Sequence, residues 1–187
     1  HYGDTGLPWV LPSPNMPTPA TALVYPGQAF LEGTNLSEAR GTTLPFEQFG
    51  APFVEGRRLV EALEKENLPG ARFRPATFQP MFQKWAGEVC GGAQIHVTDR
   101  EAYRPVRTSL AILRHARALW PRAFRWRTEK YEFRDDVPAI DLLTGAPRVR
   151  EMIDAGAPLA EILDFYEASG AAARKNREDA LLYSEME

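Results

Sequence analysis

The sequence predicts an α+β fold: a single mixed domain with a small sheet, flanking helices and a helical carboxy-terminus. Three observations carry that expectation. Strand-like and helix-like patterns are mixed without strict alternation between them. At 187 residues the chain is long enough for one good hydrophobic core and too short for two ordinary domains. From Val137 onward the pattern reads as helical.

The elements follow in chain order. Six of the sixteen prolines fall within the first 26 residues: Pro8, Pro12, Pro14, Pro17, Pro19 and Pro26. Proline fixes φ and removes a backbone donor, so 1–26 is expected to be an extended or turning strap. Thr18 to Tyr25 reads as a brief helix stopped by Pro26-Gly27, and Ala29-Phe30-Leu31 as a strand leading into Glu32-Gly33. Residues 34–54 are expected to form a long loop, a length that is uncommon in compact domains and often functional. Glu55 to Asn67 repeats Leu59, Ala62 and Leu63 on one face and ends at Asn67-Leu68-Pro69-Gly70, as a helix does.

Strands are expected at Arg72–Phe78 and Ala93–Val97, the second with Ile95 and Val97 facing away from Gln94 and His96. Val106, Leu110, Leu113 and Trp120 mark a longer helix. Its start is ambiguous between the capping-box pair Thr98 and Glu101 and a first helical position at Pro105. A short strand is expected within Phe124–Phe133. The helical tail is broken at Gly145-Ala146-Pro147 and near Gly156-Ala157-Pro158.

Composition excludes several classes. Hydrophobic residues make up 44%, charged residues 25%, and the formal net charge is −3, which are globular values far from disorder. No apolar run reaches a membrane span. The weak charge calls for no polyanionic partner, and nucleic acid is not expected. Arg104, Arg107, Arg114, Arg117, Arg122, Arg125 and Arg127 interleave with Trp120, Phe124 and Trp126. With Glu101 and Glu129 at its edges, this run reads as a solvated helix face. Arg174 to Asp179 reads likewise as a mixed-sign helix surface. Cys90 alone makes no internal disulfide and is expected to be a small buried residue. His1, His96 and His115 have no metal-ligand spacing, so neither a metal nor a cofactor is expected. The chain opens at His1 without an initiator methionine, as a processed product or a piece of something longer would.

The informative stretch is Asp4 to Phe53. It holds Thr5-Gly6-Leu7-Pro8-Trp9-Val10, Pro12-Ser13-Pro14-Asn15-Met16-Pro17, Leu31-Glu32-Gly33-Thr34-Asn35-Leu36-Ser37, Arg40-Gly41-Thr42, Pro45-Phe46 and Gly50-Ala51-Pro52. Later come Gly87 to Gly92, Gln94 to Arg100, Tyr131-Glu132-Phe133, Ala139 to Leu143 and Leu181-Leu182-Tyr183. This succession resembles the C-terminal portion of the bacterial exo-N-acetylmuramidase family, formerly the domain of unknown function DUF1343, and the likeness covers essentially the whole chain. The resemblance implies a two-domain hydrolase that removes N-acetylmuramic acid from non-reducing ends of peptidoglycan fragments. Its Rossmann-like catalytic half would precede this chain, which would be the auxiliary half and one wall of the cleft. The partners implied are that half and a muropeptide or other muramyl saccharide. The alternatives are a peptidoglycan-binding module without catalytic residues, or a purely structural one.

The residues themselves agree in part. Glycoside hydrolysis generally needs two carboxyl groups across the scissile bond. Only Glu32 is well placed here; Glu38 and Glu47 sit in ordinary solvent-facing contexts. A carboxyl pair is not assembled from this chain, and the resemblance implies that the catalytic acids lie in the preceding half. No catalytic residue is therefore expected here, with Glu32 as the fallback. The expected substrate-binding set is Asn15, Glu32, Thr34, Asn35, Arg40, Thr42, Phe46 and His96. Gly33 and Gly41 would let backbone approach a ligand. Arg40 would take the lactyl carboxylate in bidentate geometry, and Phe46 would stack on a sugar face. Each has a second reading: Glu32 paired with Arg40, Asn15, Asn35 and Thr42 as turn formers, Phe46 as core, His96 as a structural histidine.

Overall fold

The computed structural model describes residues 2–177 and residue 180. His1, Glu178, Asp179 and the closing Leu181-Leu182-Tyr183 lie outside them. The fold is α+β, with one three-stranded antiparallel sheet and six helices among the described residues.

Thr18 caps the first helix, α1 (Pro19–Gln28), accepting a bond from the Thr21 amide at 3.1 Å, and Pro19 occupies the first turn where its missing donor costs nothing. The helix does not stop at Pro26-Gly27. It runs through both and tightens into a 3-10 turn over Ala29–Gly33, where a strand was expected. Tertiary contact overrides local propensity here. A Cβ on Gly27 would lie 2.0 Å from the Pro105 carbonyl oxygen, so only glycine lets α1 cross α3 (Pro105–Leu119) this closely. Gln28 Nε2 then donates to Ser109 Oγ at 2.9 Å across the crossing.

The expected loop 34–54 contains a strand, β1 (Gln48–Ala51), which pairs with Gly91 to Gln94 in the first half of the glycine-rich strand β3 (Cys90–Val97). Gly50 faces Gly92, and a Cβ at Gly50 would meet the Gly91 carbonyl oxygen at 2.1 Å. The glycines that look like loop punctuation are what lets these strands approach. Opposite, β2 (Ala71–Phe78) pairs with β3 from Ala71↔Val97 to Phe78↔Cys90. The order β1-β3-β2 makes β2 an edge, which is where Pro75 can sit without breaking a ladder. The other edge is covered at one point, where Ser37 and Gly50 exchange amide bonds of 2.7 and 3.0 Å.

Between β1 and β2, α2 (Gly56–Glu64) buries Leu59 and Leu63 against the sheet, as its periodicity requires. The long helix α3 begins at Pro105, so proline sets its start and not the Thr98–Glu101 pair. Its middle, Thr108 to Leu113, is buried all round because α1, α2 and two helices of the tail pack about it. The tail forms α4 (Ala139–Thr144), α5 (Pro147–Asp154) and α6 (Leu159–Arg177), with breaks at the expected turns. Asp141, 5% exposed, fixes α4 to α5 through two 2.8 Å bonds from Arg150, and that hydrogen bonding raises the Arg150 pKa. No strand forms in Phe124–Phe133. Isolated bridges, Thr34↔Trp126 and Tyr131↔Arg134, take its place.

The core is continuous from Leu31, Leu36, Phe46 and Phe49 through Leu59, Leu110 and Leu113 to Ile140 and Ile153. Cys90 is fully buried beside Ala39 and Phe78, and burial lifts its thiol pKa to about 11. The arginine run is divided. Arg114 Nε donates to the Ala157 carbonyl at 2.8 Å and Arg117 Nε to Asp154 at 2.7 Å, tying α3 to the tail instead of lining a single solvated face.

A charged cluster between two strained loops

The polar cluster starts from the 3-10 turn, which carries Glu32 at the edge of the core. Glu32 is paired with Arg40 and accepts the Tyr131 hydroxyl on its other oxygen at 2.9 Å. Arg40 Nε also lies 3.1 Å from Glu38, whose second oxygen takes Lys84 at 2.9 Å. Lys84 Nζ completes its donor set on the carbonyls of Leu31 and Leu36, at 2.8 and 2.9 Å. Two carboxylates and two cations thus alternate, and Tyr131 closes the chain.

Burial differs along it. The Glu38 side chain is 4% exposed and the Glu32 side chain 15%. Glu38 is therefore an enclosed structural anion and not the solvent-facing residue expected; its burial is tolerable because both oxygens are paired. Burial works against charge on Arg40, but Glu32 and Glu38 offset it and the guanidinium pKa is raised. For Lys84 burial prevails over Glu38, and its pKa lies below the ordinary lysine value. Burial, then the bond to Glu32, pushes the Tyr131 phenol up, so it remains a neutral donor.

Two loops hold this arrangement, and both are strained. Ala39 and Phe46 in one, Gln83 and Trp85 in the other, adopt left-handed φ of 56°, 63°, 68° and 60°. Such conformations cost about 1 kcal/mol or more each in non-glycine residues and persist only where surroundings fix them. Met81 donates its amide to the Gly41 carbonyl at 3.0 Å across the two loops, and within the first loop Phe46 donates its amide to the Glu38 carbonyl at 2.7 Å.

The expected site residues divide accordingly. Glu32 and Arg40 come together. Thr34 is 2% exposed and uses its hydroxyl on Leu31 and the Leu36 amide, while Thr42 does the same for Ala39 and Leu44. Asn35 binds Ala123 and Arg125 through its side chain and Trp85 through its carbonyl. Phe46 is 1% exposed, between Tyr25 and the Arg40 guanidinium, 4.9 Å from each. It is core, and no sugar can stack on it. Arg40 is engaged by two carboxylates of its own chain, which leaves little of it for an external one. Gly33 and Gly41 admit chain, not ligand: added Cβ atoms would meet Ile140 backbone at 2.8 Å and Phe82 backbone at 2.7 Å.

Asn15 lies apart, its amide on Ser13 Oγ in a turn. His96 also lies apart, exposed on β3, where its ring accepts from Arg74 at 3.2 Å. It lines a depression of about 540 Å³ with Tyr2, Leu23 and Arg100. Glu47, at its edge, accepts from Thr21 at 2.7 Å. Sequence reasoning missed Lys84, Trp85, Trp126 and Tyr131. Lys84 is one of only four lysines in the chain, and Tyr131 stands in one of the blocks that carry the family resemblance; those are the signals that could have drawn attention to them. No group of three His, Cys, Asp or Glu able to hold a metal occurs among the described residues.

Comparison with known proteins places these features in context. Residues 23–183 match the family described as exo-beta-N-acetylmuramidase NamZ, C-terminal. The chain is 41% identical over 182 residues to the peptidoglycan beta-N-acetylmuramidase NamZ of Bacillus subtilis (strain 168), covering 97% of this chain and 42% of that protein. It superposes on a DUF1343 family protein of Bacteroides fragilis NCTC 9343 with a TM-score of 0.81 at 27% identity, over 98% of this chain and 47% of that one. A second DUF1343 structure from the same organism, 24% identical, shares the fold at a TM-score of 0.67, over 94% of this chain and 44% of that one. The chain thus spans less than half the length of each.

Proposed function

The chain belongs to the exo-beta-N-acetylmuramidase NamZ C-terminal family, and from that premise we propose that it is the carboxy-terminal half of a peptidoglycan glycosidase. The complete protein removes N-acetylmuramic acid from non-reducing ends of peptidoglycan fragments. The catalytic carboxyls lie in the preceding half, and this domain forms one wall of the cleft. The observation that supports this reading is the Tyr131–Glu32–Arg40–Glu38–Lys84 network, held between two loops with left-handed, non-glycine residues. Strain of that kind collects where a surface must keep a fixed shape for a ligand.

In this reading Glu32 is the polar group presented to the cleft, and Arg40 and Tyr131 orient it. Glu38 is enclosed, so the chain offers no second accessible carboxyl in the cluster for acid–base work. Asn35 and Thr34 act by shaping the wall. The segment ahead of α1, with Leu7, Val10 and Leu11 at 65%, 79% and 54% exposure, is the strap from the preceding half and packs against it.

The test is nitrophenol release from 4-nitrophenyl N-acetylmuramide by the full-length protein and by the 187 residues alone. Activity is expected only in the full-length protein. Turnover by the shorter chain would overturn this division of labour and return Glu32 to the catalytic role.

A further inference from the structure

A groove of about 530 Å³ borders the cluster, lined by Asn35, Lys84, Trp85, Arg125, Trp126 and Arg127, with Glu129 as its one carboxylate. Its walls are fixed by backbone. Arg127 donates its amide to Gly33 at 2.8 Å, Asn35 its amide to Arg125 at 3.0 Å, and Arg125 its amide to Asn35 Oδ1 at 2.9 Å. Both indoles are held by their nitrogens, Trp85 on the Asn35 carbonyl at 2.6 Å and Trp126 on Asp154 at 3.0 Å.

Its cations are not equally free. Lys84 is spent on Glu38 and two carbonyls. Arg125 donates only to the Phe124 carbonyl and Arg127 only to the Lys130 carbonyl, and neither has a carboxylate within ion-pair distance among the described residues. Arg127 lies over the Tyr131 ring, 5.3 Å from its centroid, which orients the guanidinium plane. A pre-oriented guanidinium with donors to spare is matched to a planar carboxylate. Glu129 opposes a polyanion, and half-buried indoles suit the apolar faces of a pyranose.

We propose that this groove is a subsite for a carboxylate-bearing pyranoside, with Arg127 as the residue that reads the carboxylate. The inference rests on the muramidase reading and deepens it: the anion recognised is the lactyl carboxylate of muramic acid or the carboxylate of an attached stem peptide. It moves that role from Arg40, which its own chain occupies, to Arg127.

The experiment titrates the full-length protein with N-acetylmuramic acid, N-acetylglucosamine and N-acetylmuramoyl-L-alanyl-D-isoglutamine, following tryptophan fluorescence. The first carries a lactyl carboxylate, the second none, and in the third the lactyl group is an amide and the anion lies on the peptide. A charge-assisted contact predicts that one carboxylate ligand binds about ten- to a hundredfold tighter than N-acetylglucosamine. Arg127→Ala abolishes that preference and Arg127→Lys keeps part of it. Arg125→Ala, at an exposed position, weakens it in the same direction and serves if Arg127→Ala does not fold. Preference for the free acid identifies the lactyl group; preference for the dipeptide identifies the stem. Equal binding of all three sugars by the wild type, or a preference that survives in Arg127→Ala, overturns the proposal. Nitrophenol release is scored separately: selective binding without it would sink the muramidase reading and leave the subsite standing.

Discussion

Replacing Lys84 by methionine keeps the length of the side chain and removes its charge and all three donors. In the folded protein those donors serve Glu38 at 2.9 Å and the carbonyls of Leu31 and Leu36 at 2.8 and 2.9 Å. Removing one partner of a buried ion pair costs about 3–5 kcal/mol, because the remaining charge stays desolvated. Here two features favour the lower end. The Lys84 side chain is 22% exposed, and Arg40 still lies 3.1 Å from Glu38. The expected loss is therefore about 3 kcal/mol. For a chain of this size that lowers the melting midpoint by about 6–12 °C.

Urea unfolding of wild type, Lys84→Met, Glu38→Gln and the double variant measures it. An unchanged slope against urea would show that the compactness of neither state has altered. Neutralising Glu38 removes the stranded charge, so the double variant should recover about 2 kcal/mol relative to the sum of the single losses. A loss below about 1 kcal/mol for Lys84→Met, or strict additivity in the cycle, would refute the claim that this pair organises the loops.

Burial lowers the His115 pKa despite its 2.7 Å bond to Glu66, so just below the ordinary value of 6.5 the folded protein binds fewer protons than the unfolded chain. Stability is then complete above that value and falls as the solution is acidified through the folded pKa. Melting curves of His115→Gln across this range should be flatter than those of the wild type, and parallel curves would contradict the argument. Cys90, buried and with its pKa raised to about 11, should react with Ellman's reagent at about pH 8 only after denaturation. Rapid labelling of the native protein would show that the site opens. Gly41→Ala combines a φ of 82° with a Cβ 2.7 Å from the Phe82 amide nitrogen, and should cost at least about 2 kcal/mol by thermal unfolding. A change within about 0.5 kcal/mol would mean the two loops separate easily.

Local patterns were enough for the fold class and for several elements. Leu59 and Leu63 one turn apart make α2, the alternation around Phe73 and Ile95 makes β2 and β3, and proline and glycine mark where the tail helices break. The family too was legible, because its blocks recur in order along the chain. All of these are short-range properties, set by backbone periodicity and by what each residue does to its own φ and ψ.

The site was legible only in Glu32 and Arg40, eight residues apart and both within one polar stretch. Its other partners arrive from far along the chain: Lys84 reaches Glu38 across 46 residues and Tyr131 reaches Glu32 across 99. No local pattern says that Glu38 will be enclosed, that Phe46 will fill the core, or that Pro26-Gly27 will stay helical. Each outcome depends on which surface packs over it, and the desolvation of a charge or the closeness of two backbones is fixed by those long-range neighbours. Sequence therefore determined the fold class, several of the elements and the lineage. Tertiary packing decided which polar groups are spent on one another and which, like Arg127, are left with donors free.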